Sequence, residues 1–275
     1  MTYALQTHKL VRTFGSFVAT DDVTLNVEAG ARHALIGPNG AGKTTLINLL
    51  TGFIEPTAGQ VFLAGDDVTA LAQHERVKRG LARTFQINRL FADMTVLESV
   101  MIAVCERRGL GARWWNPASS HVEALEEAAA LITRLRLGDV ANEITKNLAY
   151  GKQRLIEIAL ALAAQPRVLL LDEPAAGVPT NESRELFDTI AALPREVTIL
   201  LIEHDMDLVF RFADRISVLV SGAILTEDVP SVIERDPRVR QLYLGEAAVH
   251  SRQGTVSTSS QANGTAAAHK TPGSA

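Results

Sequence analysis

The chain has one cysteine, Cys105, in 275 residues. A single cysteine forms neither an internal disulfide nor a cysteine-rich zinc site, so a reducing compartment is expected. There is no surplus of positive charge: 27 Lys and Arg stand against 31 Asp and Glu. That balance lacks the broad positive field of a non-specific nucleic-acid binder, and no nucleic-acid partner is expected. Long apolar runs are also missing. The best of them, 158–164, 168–171 and 197–202, fall far short of the roughly 20 residues that a membrane-spanning helix needs. The opening MTYALQTHKL has no basic segment followed by an apolar stretch, so no signal peptide is expected. Residues 249–275 contain no Asp, Glu, Leu, Ile, Phe, Met, Trp or Tyr. Such a segment buries too little apolar surface to offset its ordering entropy, and it reads as a disordered tail.

What remains, residues 1–248, has ordinary globular composition and length enough for a sizeable core. Val23–Val27 alternates apolar and polar residues as a half-buried strand does. Residues 31–36 read as a short buried strand running into a glycine-rich loop, and 43–50 as a helix. From about 93 to 164 the chain reads as mainly helical. Thr95 and Glu98 form a capping-box pattern there, and residues 121–137 are rich in Ala and Glu. Afterwards strand and helix alternate again: strands at 168–171 and 197–202, helices at 181–193 and 206–212. Apolar runs without alternation suit central parallel strands covered on both faces. The fold class is therefore α/β, with a mainly parallel sheet and an inserted α-helical subdomain.

Gly37, Pro38, Asn39, Gly40, Ala41, Gly42, Lys43 and Thr44 fit the spacing G-x-x-x-x-G-K-[ST]. Glycines let the backbone turn tightly and approach phosphate. Successive N–H groups and the helix N-terminus then face the anion. Lys43 reaches the β- and γ-phosphates, and the Thr44 hydroxyl suits Mg²⁺. The competing reading, a chance match, is weakened by the context, because the motif sits between a predicted strand and a predicted helix.

The strand at 168–171 ends in Asp172 and Glu173, followed by Pro174. Ligands of an open parallel sheet bind at the carboxyl ends of its strands. Both acids are therefore expected beside the phosphate loop, Asp172 toward Mg²⁺ and Glu173 toward the attacking water. Alone, two acids after an apolar run are equally a solvated turn; the phosphate loop supplies the specificity. The next strand ends in Glu203, His204 and Asp205. A histidine there is either structural or within reach of a γ-phosphate.

Five motifs occur in one order: GPNGAGKTT (37–45, closing on Thr45), Gln86 within RTFQ, LAYGKQR (148–154), VLLLDEP (168–174) and His204. Together they resemble the ATP-binding subunit of an ABC transporter, over roughly residues 3–245. NLLTGFIEPTAGQVFLAG, LDEPAAG and LLIEHDMDLV further resemble the branched-chain amino acid import group. Urea and amide importers and a lipopolysaccharide-export ATPase are similar.

The resemblance implies a P-loop NTPase with an antiparallel β subdomain, ATP and Mg²⁺ as cofactors, and transmembrane permease subunits as partners. It further implies a second ATP-binding subunit, with a heterodimer favoured, and indirectly a periplasmic binding protein. The location implied is peripheral, on the cytoplasmic side of the cell membrane. Residue by residue, Phe14 matches the aromatic that stacks on adenine. Gln86 matches the loop glutamine that senses Mg²⁺ and water. Ala149, Tyr150, Gly151 and Lys152 belong to the signature motif, which opens a helix from about 151 to 164 and faces the γ-phosphate held by the opposite subunit. Glu173 matches the general base and His204 the switch histidine. Three positions depart from the pattern: Ala149 for serine, Lys152 for glutamine, and Val178–Pro179 in the loop that communicates across the dimer. The rival readings are a soluble ABC-type ATPase and a module that holds ATP without hydrolysing it.

Elsewhere, Trp114 and Trp115 read either as a partner contact or as packing within the insert. Cys105 reads as core. The runs 76–79 and 107–108 read as solvated basic faces. The other histidines form no metal-ligand spacing.

Overall fold

The computed structural model describes residues 2–84, 92–110 and 119–243. Gln86, Trp114, Trp115 and the segment 249–275 lie outside the described residues. The chain divides into two units, 1–234 and 235–275. In the second, Asp236 starts a short helical stretch and accepts the side chain of Arg238 at 2.7 Å.

The first unit holds two sheets. The antiparallel one runs β2-β1-β4-β5, with β1 Tyr3–Phe14, β2 Phe17–Glu28, β4 Ala58–Leu63 and β5 Asp66–Asp67. The second runs β10-β9-β3-β8-β7-β6. Its strands are β3 Arg32–Ile36, β6 Leu81–Arg83, β7 Val168–Asp172, β8 Thr198–Ile202, β9 Arg215–Val220 and β10 Ala223–Asp228. The pairs among β9, β3, β8, β7 and β6 are parallel, and β10 closes the edge antiparallel to β9. The helices are α1 Lys43–Thr51, α2 Gln73–Lys78, α3 Val96–Arg107, α4 Ser119–Arg134, α5 Tyr150–Ala163, α6 Thr180–Ala191, α7 Met206–Phe212 and α8 Pro230–Ile233. A mainly parallel core, an antiparallel sheet and a helical insert are thus all present.

The central strands are buried on both faces, and alternate residues serve different cores. Leu169, Leu171, Ile199 and Leu201 pack with α3, α4, α5 and α6 through Val100, Ala128, Ile158 and Phe187. Val168, Leu170, Leu200 and Ile202 pack on the opposite face with Leu46 and Leu50 of α1 and with Leu25 and Val61 of the antiparallel sheet. The sheet is therefore a partition between two apolar layers, and its strand ends are held in a common register. The Thr95–Glu98 capping box starts α3: each residue's side chain accepts the other's backbone N–H, at 2.8 and 3.2 Å.

One expectation requires correction. Arg76 is not on a solvated face. It is 1% exposed, and its guanidinium donates to the carbonyls of Leu49, Leu50, Thr69 and Leu71 at 2.7–3.0 Å. Leu49 and Leu50 belong to the last turn of α1, whose carbonyls have no partner within the helix. Arg76 caps that end with charge of the favourable sign. Arg107 and Arg108 are exposed, as expected, and pair across the surface with Glu127 and Glu123 of α4. Cys105 is half-buried, packed against the helical core.

Candidate functional site

The phosphate loop joins β3 to α1, and its glycines are required by close approach. A Cβ on Gly37 would lie 2.2 Å from the carbonyl oxygen of Leu219 on β9. Gly42 has φ 102°, and a Cβ there would meet the Ala19 carbonyl of β2 at 2.5 Å. Only a glycine fits between these backbones in that conformation. The Ala41 N–H donates to Pro38 at 3.1 Å, and the Ala41 carbonyl accepts the N–H of Gly222 at 2.8 Å. The loop is thus pinned to the β9–β10 turn. Lys43 is buried, and its Nζ donates to the carbonyls of Gly37 and Pro38 at 2.6 and 3.1 Å. The first turn of α1 carries no acidic residue, and Gly42 caps it without a side chain. Its N–H groups therefore face outward with no carboxylate of their own to compete with a phosphate.

A cleft of about 420 Å³ opens beside this loop, lined by Thr44, Arg83, Glu157, Asp172 and Glu173 among others. The expected neighbourhood of Thr44, Asp172 and Glu173 is therefore realised. Arg83, at the end of β6, donates to Asp172 Oδ2 at 2.8 Å and to Asn48 Oδ1 of α1 at 2.9 Å. It joins the carboxylate to the phosphate-loop helix. Glu173 has φ 47°, a left-handed conformation that costs a side-chain-bearing residue on the order of 1 kcal/mol. Its N–H is held by the Ile202 carbonyl at 2.9 Å, which turns the carboxylate off the strand end.

His204 Nδ1 lies 3.9 Å from Glu173 Oε1 and 3.5 Å from Glu203 Oε2, and its side chain is 63% exposed. Glu203 is fully buried. Burial pushes its carboxyl above the usual range, opposed by the N–H groups it accepts. Those come from Ala175 at 3.1 Å and His204 at 3.0 Å. One carboxylate thus fixes both the backbone after the Asp172–Glu173 pair and the backbone of the histidine.

The signature residues begin α5, with Ala149 as the N-cap and no side-chain cap. Gly151 donates its N–H to Glu182 Oε2 of α6 at 2.9 Å. Lys152 turns outward and pairs with Asp139. These residues line a pocket of about 150 Å³ with Glu182, Glu185 and Leu186, whose lining shares no residue with the Thr44 cleft. Phe14 stands at the β1–β2 turn, 47% exposed, with the Arg12 guanidinium 4.6 Å from its ring centroid. Asn39 and Gly40 are exposed at the loop tip, and Thr45 is half-buried behind it.

Arg83, Glu182 and Glu203 were not singled out in the sequence. Arg83 opens the RTFQ motif and Glu203 directly precedes His204, but the motifs give neither a role. Glu182, in the first turn of α6, belongs to none of the sequence motifs. A divalent cation fits this site: the Thr44 hydroxyl and the Asp172 carboxylate are hard oxygen donors on one cleft. No cluster of three His, Cys, Asp or Glu side chains exists among the described residues. A cation here therefore draws its remaining ligands from phosphate and water.

A glycine loop at a strand-to-helix junction, with paired acids at the end of a neighbouring parallel strand, defines a P-loop nucleoside triphosphatase. The sequence pattern of the ABC transporter family matches residues 20–176. The chain is 42% identical over 252 residues to the high-affinity branched-chain amino acid transport ATP-binding protein BraF of Pseudomonas aeruginosa, covering 88% of this chain and 98% of that one. It is also 42% identical, over 250 residues, to the corresponding LivG protein of Escherichia coli, with the same coverage. A solved ATP-binding cassette of an ABC transporter in its ADP conformation superposes with a TM-score of 0.78 at 32% identity. That match covers 89% of this chain and 99% of the other. The chain belongs to the ABC transporter family and is one of its nucleotide-binding ATPases.

Proposed function

We propose that this chain is the ATP-binding and ATP-hydrolysing subunit of an importer for branched-chain or other amino acids. The observation that carries the catalytic part is the single cleft lined by Thr44, Asp172 and Glu173. The import part is supported by the 42% identity, over nearly the full length of both chains, to BraF and LivG. In this reading the chain works from the cytoplasmic face of the membrane, docked to a pair of permease subunits. No described helix is long and apolar enough to cross a membrane by itself. A periplasmic binding protein delivers the substrate on the other side. The partner ATPase is a second subunit, with a heterodimer favoured.

The residues divide the work. The 37–42 backbone and Lys43 hold the phosphates, with Thr45 behind the loop and the Phe14 ring offered to adenine. Thr44 and Asp172 are the cation ligands in this assignment, with Gln86 as a further one. Mg²⁺, when bound, neutralises charge on the β- and γ-phosphates. Glu173 takes the proton of the attacking water, and His204 donates toward the γ-phosphate oxygens. The Ala149–Lys152 segment at the start of α5 presents its N–H groups to the nucleotide of the opposite subunit. Support for a shared site comes from the separate linings of the Thr44 cleft and the signature pocket. Neither subunit alone encloses a phosphate with both. Closure on ATP and opening after hydrolysis then bias the permease between two access states.

The test is capture of tagged Glu173→Gln protein from gently solubilised native membranes with ATP and Mg²⁺, followed by peptide identification. Recovery of two multi-spanning permeases and a second ATPase supports the importer reading. Recovery of soluble proteins or nucleic acid alone overturns it in favour of a non-transport ATPase.

A further inference from the structure

Helix α5 begins without a capping side chain. Ala149 stands at its N-cap and offers no oxygen, and no acidic residue lies in its first turn. An N-terminus of this kind leaves backbone donors unpaired unless another part of the structure supplies an acceptor. Glu182 supplies it from a different helix. Its Oε2 accepts the Gly151 N–H at 2.9 Å, and the approach is so close that a Cβ on Gly151 would lie 2.9 Å from that same oxygen. A carboxylate therefore sits on one of the donors, the Gly151 N–H, that in the reading above receive the partner subunit's γ-phosphate.

Glu182 is also mechanically connected. It lies in the first turn of α6, directly after the loop 175–179. Ser183 donates to the carbonyls of Val178 and Pro179 at 3.2 and 3.1 Å, fastening that loop to the helix. The loop in turn touches the start of α5: a Cβ on Gly177 would be 3.3 Å from the Tyr150 ring, and Arg154 donates to the Ala176 carbonyl at 3.4 Å.

We infer that Glu182 is a positioning residue that acts as an anionic placeholder on the signature helix: it caps Gly151 in the open subunit and must be displaced by phosphate when two subunits close on ATP. Two anions cannot share one set of N–H donors without strong repulsion. Displacement frees the first turn of α6 and the 175–179 loop fastened to it. Phosphate arrival at one subunit's signature is thereby reported to that subunit's own 175–179 loop. The carboxylate sets a threshold, so closure requires a nucleotide with a γ-phosphate and enough of it.

This inference rests on the shared-site reading of the previous subsection, and the experiment separates the two. ATP–Mg²⁺ is titrated into the Glu173→Gln protein, with the ATPase subunit captured alongside it where one is present, and association is followed by light scattering. The same titration is run with Glu182→Gln and with Glu182→Ala added. Glutamine keeps the size and one acceptor but removes the charge; alanine removes both. The expected result is half-association at lower ATP, by about three- to tenfold, in both variants, with ADP ineffective throughout. Circular dichroism and an unchanged melting profile for Glu182→Gln establish that the comparison is between folded proteins. Equal or higher ATP requirement in both variants overturns the placeholder role while leaving the shared site intact. Failure of Glu173→Gln itself to associate with ATP overturns the shared-site reading, and this inference with it.

Discussion

Glu173 and His204 are 31 residues apart in the chain and stand side by side in space, with Oε1 and Nδ1 3.9 Å from each other. The cause is strand register: Asp172 of β7 pairs with Ile202 of β8 in parallel, so the residues just past the two strand ends emerge together. Glu173→Gln preserves the shape and the 2.9 Å backbone bond to Ile202 while removing the base. Hydrolysis is expected to fall by about 10²- to 10⁴-fold with ATP binding retained. Steady-state phosphate release and equilibrium nucleotide binding, measured on one preparation, check this; normal turnover would remove Glu173 from the base role.

Lys43 is already aimed inward by its bonds to Gly37 and Pro38. Lys43→Ala removes that cation from the phosphate site without altering any glycine of the loop. Nucleotide affinity is expected to drop by at least about tenfold, since one charge-assisted hydrogen bond is worth roughly 1.5–3 kcal/mol. Calorimetric titration with ATP reads the effect. Wild-type affinity together with full ATPase activity would sink the phosphate-loop assignment.

Local patterns made much of this molecule legible. The apolar runs at 168–171 and 197–202 are the paired central strands β7 and β8, because a strand buried on both faces has no polar positions to interrupt it. Helices α1 and α7 begin at the predicted residues. The phosphate loop is a contiguous motif, and contiguous motifs survive in sequence. What escaped is what register and packing decide. Arg76 looks like one more charge in the run 76–79, yet the close approach of α2 to the end of α1 makes it a cap. A Cβ on Gly52 would lie 2.7 Å from its Nε. Glu182 and Gly151 are brought together by two helices that sequence spacing does not relate. Arg83 reaches Asp172 because β6 and β7 are neighbours in the sheet.

The buried position of Arg76 makes it a stability residue. Arg76→Leu takes the shared donor from four carbonyls, leaving those of Leu50, Thr69 and Leu71 without it while Leu49 keeps the Gly52 N–H at 3.2 Å. Unsatisfied buried polar groups cost about 1–3 kcal/mol each, with partial relief by relaxation, so a loss of roughly 3 kcal/mol or more is expected. Urea unfolding measures it directly. A change within about 0.5 kcal/mol, the range of ordinary surface substitutions, would place Arg76 back among the solvated charges.

Lys152 occupies a signature position where the family has glutamine. Its ammonium pairs with Asp139, whose carboxyl that contact holds below the usual range. A side chain held this way has its ammonium engaged by a carboxylate of its own subunit. Lys152→Gln is therefore expected to change ATPase activity by less than about twofold and to leave the melting profile unchanged, as for other exposed ion pairs. A large rise in activity in the variant would mean that the lysine impairs the site.

The residue that gives this fold an acid-sensitive core lies four positions before the phosphate loop. His33 on β3 is fully buried, and its Nε2 is 2.7 Å from Ser217 Oγ. The Ser217 hydroxyl spends its proton on Glu227 Oε2 at 2.7 Å, so its oxygen accepts Nε2–H. The other ring nitrogen, Nδ1, is buried with no hydrogen-bond partner. A second proton would have to sit there, on a buried nitrogen that no acceptor faces. Burial accordingly pulls the imidazole down to about 4, with the Glu227 charge opposing and Arg215 assisting. The sign follows from linkage. Between about pH 6.5 and 4 the unfolded chain binds a proton at this residue and the folded chain does not, so the contribution of His33 to stability falls as pH falls through that window and is constant above it. The full effect is on the order of 3 kcal/mol. Unfolding free energies at pH 7 and pH 4.5 should differ for the wild type, and His33→Gln should shrink the difference, because glutamine presents an N–H to Ser217 but cannot titrate. An identical pH dependence in the two proteins would show that other groups carry the acid sensitivity.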